Sequence, residues 1–183
     1  MRVLGISGSL RRDSHNTELL RAAASLLPSG VEFELYDGLR HIPPYDEDAR
    51  ALEDDAAVTD LKSRIAAADA LLFATPEYNH SIPGQLKNAL DWVSRPLADT
   101  PLKGKPVAVI GASTGMFGAV WAQAELRKAL GAAGARVVDR ELPVPGADEA
   151  FDDAGRLVEE DLTLELSGIL AELLESAERR VSA

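Results

Sequence analysis

The sequence has no cysteine, little basic charge relative to acidic charge and no long apolar run at its start. Without cysteine, disulfides, thiolate zinc sites, cysteine-ligated iron–sulfur clusters and thiol redox chemistry are excluded. The 19 basic residues are outnumbered by 30 acidic ones, which gives a net charge of −11. Nucleic acids and anionic membranes bind clustered Lys and Arg, so we expect neither as a partner.

The first residues, "MRVLGISGSL", contain one basic residue and a short apolar run that glycines interrupt. This pattern is typical neither of a signal peptide nor of a membrane span, and we therefore expect a cytoplasmic protein. The length of 183 residues fits one domain. We find no internal repeat or low-complexity segment, and we expect a single domain over residues 1–183.

Short apolar segments alternate with helical patterns along the chain. The five segments are "RVLGIS", "VEFELY", "DALLFAT", "KPVAVIGA" and "ARVVDREL". Between them, apolar residues recur at helical spacing, as in Leu86, Ala89, Leu90 and Val93. The alternation predicts a doubly wound α/β fold with a five-stranded parallel sheet. Its ligand crevice would lie beyond the carboxyl ends of the strands. The acidic connection over residues 37–55 is interpreted as a surface loop.

Three loops with unusual content leave these carboxyl ends: the first loop, "GSLRRDSHNT" (residues 8–17), the middle loop, "PEYNHSIPG" (76–84), and the third loop, "GASTGMFG" (111–118). The first loop opens a helix, whose free N–H groups favour an anion. Ser9, Ser14, Asn16 and Thr17 add short donors, and Arg11 adds a charged fork. The loop lacks the lysine of a P-loop, so it predicts a monophosphate site. The alternative is that Ser14 and Asn16 only cap the helix.

The third loop begins with "GASTG", which matches the G-x-S-x-G pattern of serine hydrolases with Ser113 as nucleophile. In that fold the catalytic histidine follows the serine, whereas His15, His41 and His80 all precede it. A hydrolase is therefore only a third hypothesis. The glycines would instead let backbone N–H groups approach the edge of a flat ligand, with Ser113 and Thr114 as hydroxyl donors.

The middle loop offers flat apolar surface and hydrogen bonds together. Pro76 and Tyr78 supply the surface, and Asn79 and the backbone N–H groups can bind the edge of a heteroaromatic ring. A phosphate at one loop and a ring at the other two describe a mononucleotide-like ligand, FMN in particular.

The stretches "GSLRRDSHNTELL", "PEYNHSIPGQLKNALDW" and "GASTGMFGAVWAQAELR", in this order, resemble the NADPH-dependent FMN reductase family. This flavodoxin-like group includes bacterial quinone, chromate and azo-dye reductases, and the likeness covers most of residues 2–140. The resemblance implies the strand order 2-1-3-4-5, non-covalent FMN, NADPH or NADH as electron donor, and a quinone, flavin, azo dye or metal oxyanion as acceptor. It also implies a homodimer, in some relatives a homotetramer, with FMN near the subunit interface.

The resemblance also implies site residues, and no metal ligand is among them. The phosphate would bind to Ser9, Arg11, Ser14, Asn16 and Thr17, and the ring would lie against Pro76, Glu77, Tyr78 and Asn79 and touch Ser113, Thr114 and Gly115. Tyr78 is the candidate for stacking on nicotinamide or substrate. The N–H groups of "GASTG" are candidates to stabilise the charge that grows near N1 and O2 of the ring on reduction.

Some residues leave alternatives open. Ala119 and Trp121 stand where many relatives have a glycine and an arginine, which weakens the case for a tetramer. Glu77 would orient Asn79, bond a partner subunit or stay solvated. Trp92 lies off the apolar stripe of its helix and predicts a dimer interface, with local packing as the competing explanation. A flavodoxin-like electron carrier without its own substrate is the second functional hypothesis, although Arg11 and the "YNHSIPG" turn favour a reductase.

Overall fold

The structure is a computed structural model and describes residues 1–50 and 55–181. The strands are β1 (Arg2–Ser7), β2 (Glu32–Tyr36), β3 (Ala70–Ala74), β4 (Pro106–Ala112), β5 (Arg136–Val137) and β6 (Pro143–Val144). The helices are α1 (His15–Leu26), α2 (Glu47–Arg50), α3 (Ala56–Ala67), α4 (Gly84–Val93), α5 (Val120–Ala132) and α6 (Glu160–Val181).

The strands form one parallel sheet with the order β2-β1-β3-β4-β5, which confirms the predicted flavodoxin-like fold. A sixth strand, β6, was not predicted and pairs with the carboxyl end of β4. The predicted fifth strand over residues 135–142 is reduced to the two residues of β5. The charged run from Asp139 to Glu141 follows it, and this run carries the chain across to β6.

The core has two parts, one on each face of the sheet. Helices α3, α4 and α5 cover one face, and α1 and α6 cover the other. Leu61, Ile65, Leu86, Leu90 and Leu126 belong to the first part, and Leu19, Leu20, Ile169, Leu170 and Leu173 belong to the second. Strands β3 and β4 are buried on both faces, as parallel strands are when helices cover them.

The connection over residues 37–55 is more than a surface loop in its described part. Leu39 and Ile42 are buried in the core, and the carbonyl of Pro43 accepts a hydrogen bond of 2.9 Å from Nε1 of Trp92. The ring of Tyr45 meets that of Trp92 edge-on at 5.1 Å. Trp92 is therefore buried within its own chain, and local packing, not a dimer interface, explains it. Residues 51–54 of this connection lie outside the described part.

Lys105, just before β4, is 1% exposed. Its Nζ donates to the carbonyl of Ala66 at 3.2 Å and to the carbonyl of Ala68, at the end of α3. A cation suits this position because the carboxyl end of a helix carries partial negative charge. Burial lowers the pKa of Lys105 to about 8.

The longest helix is α6, whose 22 residues alternate between core-facing leucines and charged residues. Within residues 1–50 and 55–181, no helix combines the length and the apolar character that crossing a bilayer requires.

Candidate functional site

The three loops meet at the carboxyl edge of the sheet around a cavity of about 200 Å³. Its lining contains predicted residues from each loop: Ser9, Arg11, Ser14, Asn16, Pro76, Glu77, Tyr78, Ser113 and Thr114. His15 and Ala112 also line it and were not predicted. The three other predicted residues, Thr17, Asn79 and Gly115, are not part of the lining.

The first loop is held by hydrogen bonds of its own. Ser14 is the N-cap of α1, and its Oγ accepts the N–H of Thr17 at 3.3 Å. The capping interpretation is thus right for Ser14, which is nevertheless in the lining. The hydroxyl of Thr17 donates to Ser7 Oγ at 3.0 Å, and the N–H of Ser9 donates to the same oxygen at 3.3 Å. Thr17 therefore supports the loop from behind the cavity.

Asn16 joins the first loop to the third. Its Nδ2 donates to the carbonyl of Ala112 at 2.9 Å, and its Oδ1 accepts the N–H of Ala112 at 2.9 Å. The residue is 3% exposed. Its side chain, predicted as a phosphate ligand, is thus committed to the end of β4. What Asn16 can offer an anion is its backbone N–H, because the first N–H groups of a helix have no intrahelical acceptor.

Arg11 lies at the exposed end of the cavity. Its Nε donates to the carbonyl of Asp13 at 2.8 Å, Nη2 donates to the same oxygen, and its N–H donates to Ser9 Oγ at 3.3 Å. A guanidinium has five N–H donors, so others remain for a ligand. Together with the positive end of α1, this charge makes the first loop a candidate anion site.

The middle loop forms a two-residue hairpin. The N–H of Tyr78 donates to the carbonyl of Ser81 at 3.1 Å, and the N–H of Ser81 donates back to Tyr78 at 3.1 Å. Between them, Asn79 and His80 have φ values of 54° and 58°, as a type I′ turn requires. Asn79 therefore stands at the tip of the turn, which explains why it does not reach the cavity. Tyr78 is 57% exposed at the rim.

Glu77 has a role that the sequence did not indicate. Its Oε2 accepts the N–H of Ala122 at 3.1 Å, and the carboxylate is only 13% exposed. Ala119, the residue before α5, has φ of 62° and makes no side-chain cap. Glu77 thus caps α5 and ties the middle loop to it. The left-handed backbone at Ala119 is one that glycine adopts more readily than alanine.

The third loop uses four of the five N–H groups of "GASTG" within the chain. Those of Gly111, Ala112, Ser113 and Gly115 donate to Leu142 O, Asn16 Oδ1, Val144 O and Ser113 Oγ respectively. Of the N–H groups of "GASTG", that of Thr114 is therefore the one left for a ligand in the described structure. If this loop stabilises negative charge on a bound ring, the groups that can do so are the N–H of Thr114 and the hydroxyls of Ser113 and Thr114.

A buried glutamine and strand β6 fix the far end of the third loop. Gln123 is fully buried; its Nε2 donates to the carbonyl of Gly118 at 3.0 Å, and its Oε1 accepts the N–H of Leu142 at 3.0 Å. Gly118 has φ of 54°, and a Cβ there would lie 2.5 Å from the backbone of Pro143 and Val144. Only glycine allows so close an approach.

These features define a class of protein. A doubly wound sheet with a cavity at the switch point, beside the amino end of the first helix, is the arrangement of flavodoxin-like mononucleotide-binding proteins. Residues 1–149 match the model of the NADPH-dependent FMN reductase family. The chain belongs to this family.

Individual relatives agree with this assignment. The chain is 48% identical over 161 residues to an NAD(P)H-dependent FMN reductase of Pseudomonas aeruginosa, covering 87% of this chain and 86% of the relative. It is 40% identical over 162 residues to a 2-hydroxy-1,4-benzoquinone reductase of a Burkholderia species, covering 88% and 87%. The solved structure of FerB, a flavoenzyme NAD(P)H:(acceptor) oxidoreductase of Paracoccus denitrificans, superposes with a TM-score of 0.85 at 36% identity over 97% of both chains.

The predicted function is confirmed at this level: the protein is an FMN-dependent NAD(P)H oxidoreductase that acts on small-molecule acceptors. The comparisons give no support to the electron-carrier or the serine-hydrolase hypothesis.

Proposed function

We propose that the cavity between the three loops binds FMN with its phosphate at the amino end of α1 and its ring between the middle and third loops. The observation that carries this proposal is the convergence of the three loops on one cavity beside that helix end. The backbone N–H groups of His15 and Asn16, the hydroxyl of Ser9 and the guanidinium of Arg11 would hold the phosphate.

The size of the cavity is consistent with partial enclosure of a mononucleotide. Its volume of about 200 Å³ is below the roughly 300–1,000 Å³ that is usual for small-molecule pockets. It would therefore enclose part of a mononucleotide and leave the rest accessible. The exposed side chains of Tyr78 and Thr114 lie at its rim, which is where a nicotinamide or an acceptor could reach the ring.

The residues of the chain would position the flavin ring and polarise it. FMN, when bound, supplies the redox chemistry by accepting a hydride from NAD(P)H and passing two electrons to an acceptor. Pro76 and Tyr78 would support the ring, and the N–H of Thr114 would donate to its polar edge, where negative charge grows on reduction. Glu77 would act as a positioning residue, because it holds the middle loop against α5.

We propose a quinone as the acceptor. Two observations support this: quinone reductases are among the relatives, and an excess of negative charge disfavours anionic acceptors such as metal oxyanions. The overall reaction is then NAD(P)H + H⁺ + quinone → NAD(P)⁺ + hydroquinone.

We further propose that residues 1–183 form one domain, and that the protein works in the cytoplasm as a homodimer. The family resemblance supports the dimer. The resemblance places Trp121 where many relatives have an arginine that in some of them belongs to the subunit interface, and we therefore propose the dimer rather than the tetramer.

The decisive experiment is purification followed by flavin analysis and an assay. We expect a yellow protein that releases one FMN per chain on denaturation and oxidises NAD(P)H when 1,4-benzoquinone is added. Because one rim would serve donor and acceptor in turn, initial-rate lines for the two substrates should run parallel. A colourless protein whose unfolding temperature FMN does not raise would overturn the proposal, and flavin-free protein serves as the control.

A further inference from the structure

Three aromatic side chains form a cluster next to the cavity: His80, Phe117 and Trp121, named here the rim cluster. The ring of Trp121 lies edge-on to Phe117 at 4.8 Å and to His80 at 4.7 Å. Trp121 is therefore the centre of the cluster. These contacts fix its orientation, since edge-to-face pairs of this spacing are favourable.

The rim cluster adjoins the lining of the cavity through Glu77. Nδ1 of His80 lies 3.5 Å from Oε1 of Glu77, which lines the cavity, and Phe117 follows Thr114, another lining residue, by three residues. The chain has 2 Trp, 3 Tyr and 4 Phe, and one of each kind stands at this rim. Aromatic surface is thus concentrated where a second substrate would approach the cavity.

The rings remain accessible to a ligand. Phe117 is 54% exposed, Trp121 is 40% exposed and the side chain of His80 is 75% exposed. Contiguous exposed apolar surface is a feature of ligand-binding and interaction sites. Two acids lie beside this surface: Oε1 of Glu77 is 3.5 Å from Nδ1 of His80, and Glu125 accepts a hydrogen bond from Ser81. Because carboxylates repel anions, the surface suits a neutral planar molecule better than an anionic one.

We propose that the rim cluster selects the acceptor, and that it favours bicyclic aromatic quinones over non-aromatic electron acceptors. This inference rests on the proposed function. Trp121, with Phe117 behind it, would contact the second ring of a naphthoquinone while the quinone ring reaches the flavin. A single-ring quinone would lose most of this contact, and ferricyanide would make none of it.

The test compares wild type with Trp121→Leu and Phe117→Leu, using 1,4-naphthoquinone and ferricyanide as acceptors. Leucine keeps apolar bulk and removes the aromatic ring. We expect KM for 1,4-naphthoquinone to rise about fivefold in each variant, in line with the loss of an aromatic pair. KM for ferricyanide and the Kd for FMN should stay unchanged. Met116→Leu, an exposed neighbour without a ring, is the matched control and should behave as wild type.

Each other result contradicts the inference in a recognisable way. An unchanged KM for naphthoquinone, or an equal rise for both acceptors, would mean that the rings do not select the acceptor. A change in oligomeric state by sedimentation would mean that they cover a subunit interface instead. Wild-type protein that oxidises NAD(P)H with neither acceptor would overturn the proposed function itself, and the inference with it.

Discussion

At the amino edge of the sheet, carbonyls at the end of α3 accept hydrogen bonds from the ammonium of Lys105. At the carboxyl edge, the uncharged hydroxyl of Ser14 accepts the N–H of Thr17 at the start of α1. Both are helix ends with partial charge, negative at α3 and positive at α1. The chain neutralises the first with its own cation. At the second it adds a further positive group, Arg11, beside the cavity. The contrast separates a helix end that the chain closes with its own side chain from the helix end at which we propose that a phosphate binds.

The largest effect should come from the link that fixes the binding edge. Asn16→Ala removes both hydrogen bonds to Ala112 and leaves buried backbone groups unpaired, which should lower the free energy of unfolding by about 3 kcal/mol. Urea unfolding measures this, and FMN titration should show weaker binding as well.

Asn88→Ala is the matched control for this variant. Asn88 also bonds a backbone N–H and a carbonyl, those of Tyr45 and Pro43, but it is half-buried and remote from the cavity. Asn88→Ala should lower the free energy of unfolding by less than Asn16→Ala does, and it should leave the affinity for FMN unchanged. Equal loss of FMN affinity in both variants would contradict the role assigned to Asn16.

The free energy of unfolding should depend on pH because of Lys105 at the amino edge of the sheet. The pKa of Lys105 is lowered to about 8, so between pH 8 and about 10 the unfolded chain holds a proton that the folded chain has released. The free energy of unfolding should therefore rise with pH across this window, by about 2 kcal/mol. The pKa of Tyr36 is raised to about 12, so this residue makes the free energy of unfolding fall as the pH rises, but only above its ordinary pKa of 10.

Lys105→Met should abolish this rise, as followed by urea midpoints at several pH values. Lys103→Met changes an exposed lysine two residues away and should keep it. If the slope survives in Lys105→Met, another group titrates in this window.

A smaller effect concerns affinity alone. Arg11→Ala should weaken FMN binding by about 1.5 kcal/mol, the lower end of the range for a hydrogen bond to a charged group, because the guanidinium is exposed and already donates to Asp13. Fluorescence quenching of FMN gives the Kd. Arg12→Ala is the control, because Arg12 is a neighbouring charge that does not line the cavity. An equal loss of FMN affinity in Arg12→Ala would mean that Arg11 acts only through its charge and not through a direct contact with FMN.

The sequence predicted the elements whose signals are local. Apolar segments and stripes predicted the strands and the helices, the family resemblance implied the strand order, and the polar loops predicted where the cavity lies. Long-range links left no local signal: Asn16 bonds a residue 96 positions away, and Glu77 caps a helix 45 positions away. The two-residue hairpin of the middle loop was not predicted, because a type I′ turn usually has glycine at the position that His80 occupies. Strand β6 is two residues long and has no periodicity to detect.

Helix α6 has a practical consequence for anyone who shortens this chain. The family match ends at residue 149, and every loop of the cavity lies before that point. Yet Leu166, Ile169 and Leu173, which are fully buried, cover one face of β3 and β4 from beyond it. A chain cut at the family boundary would retain the cofactor loops but bare a strip of sheet that invites aggregation. The portion needed for a well-behaved recombinant protein is thus longer than the portion that family membership delimits.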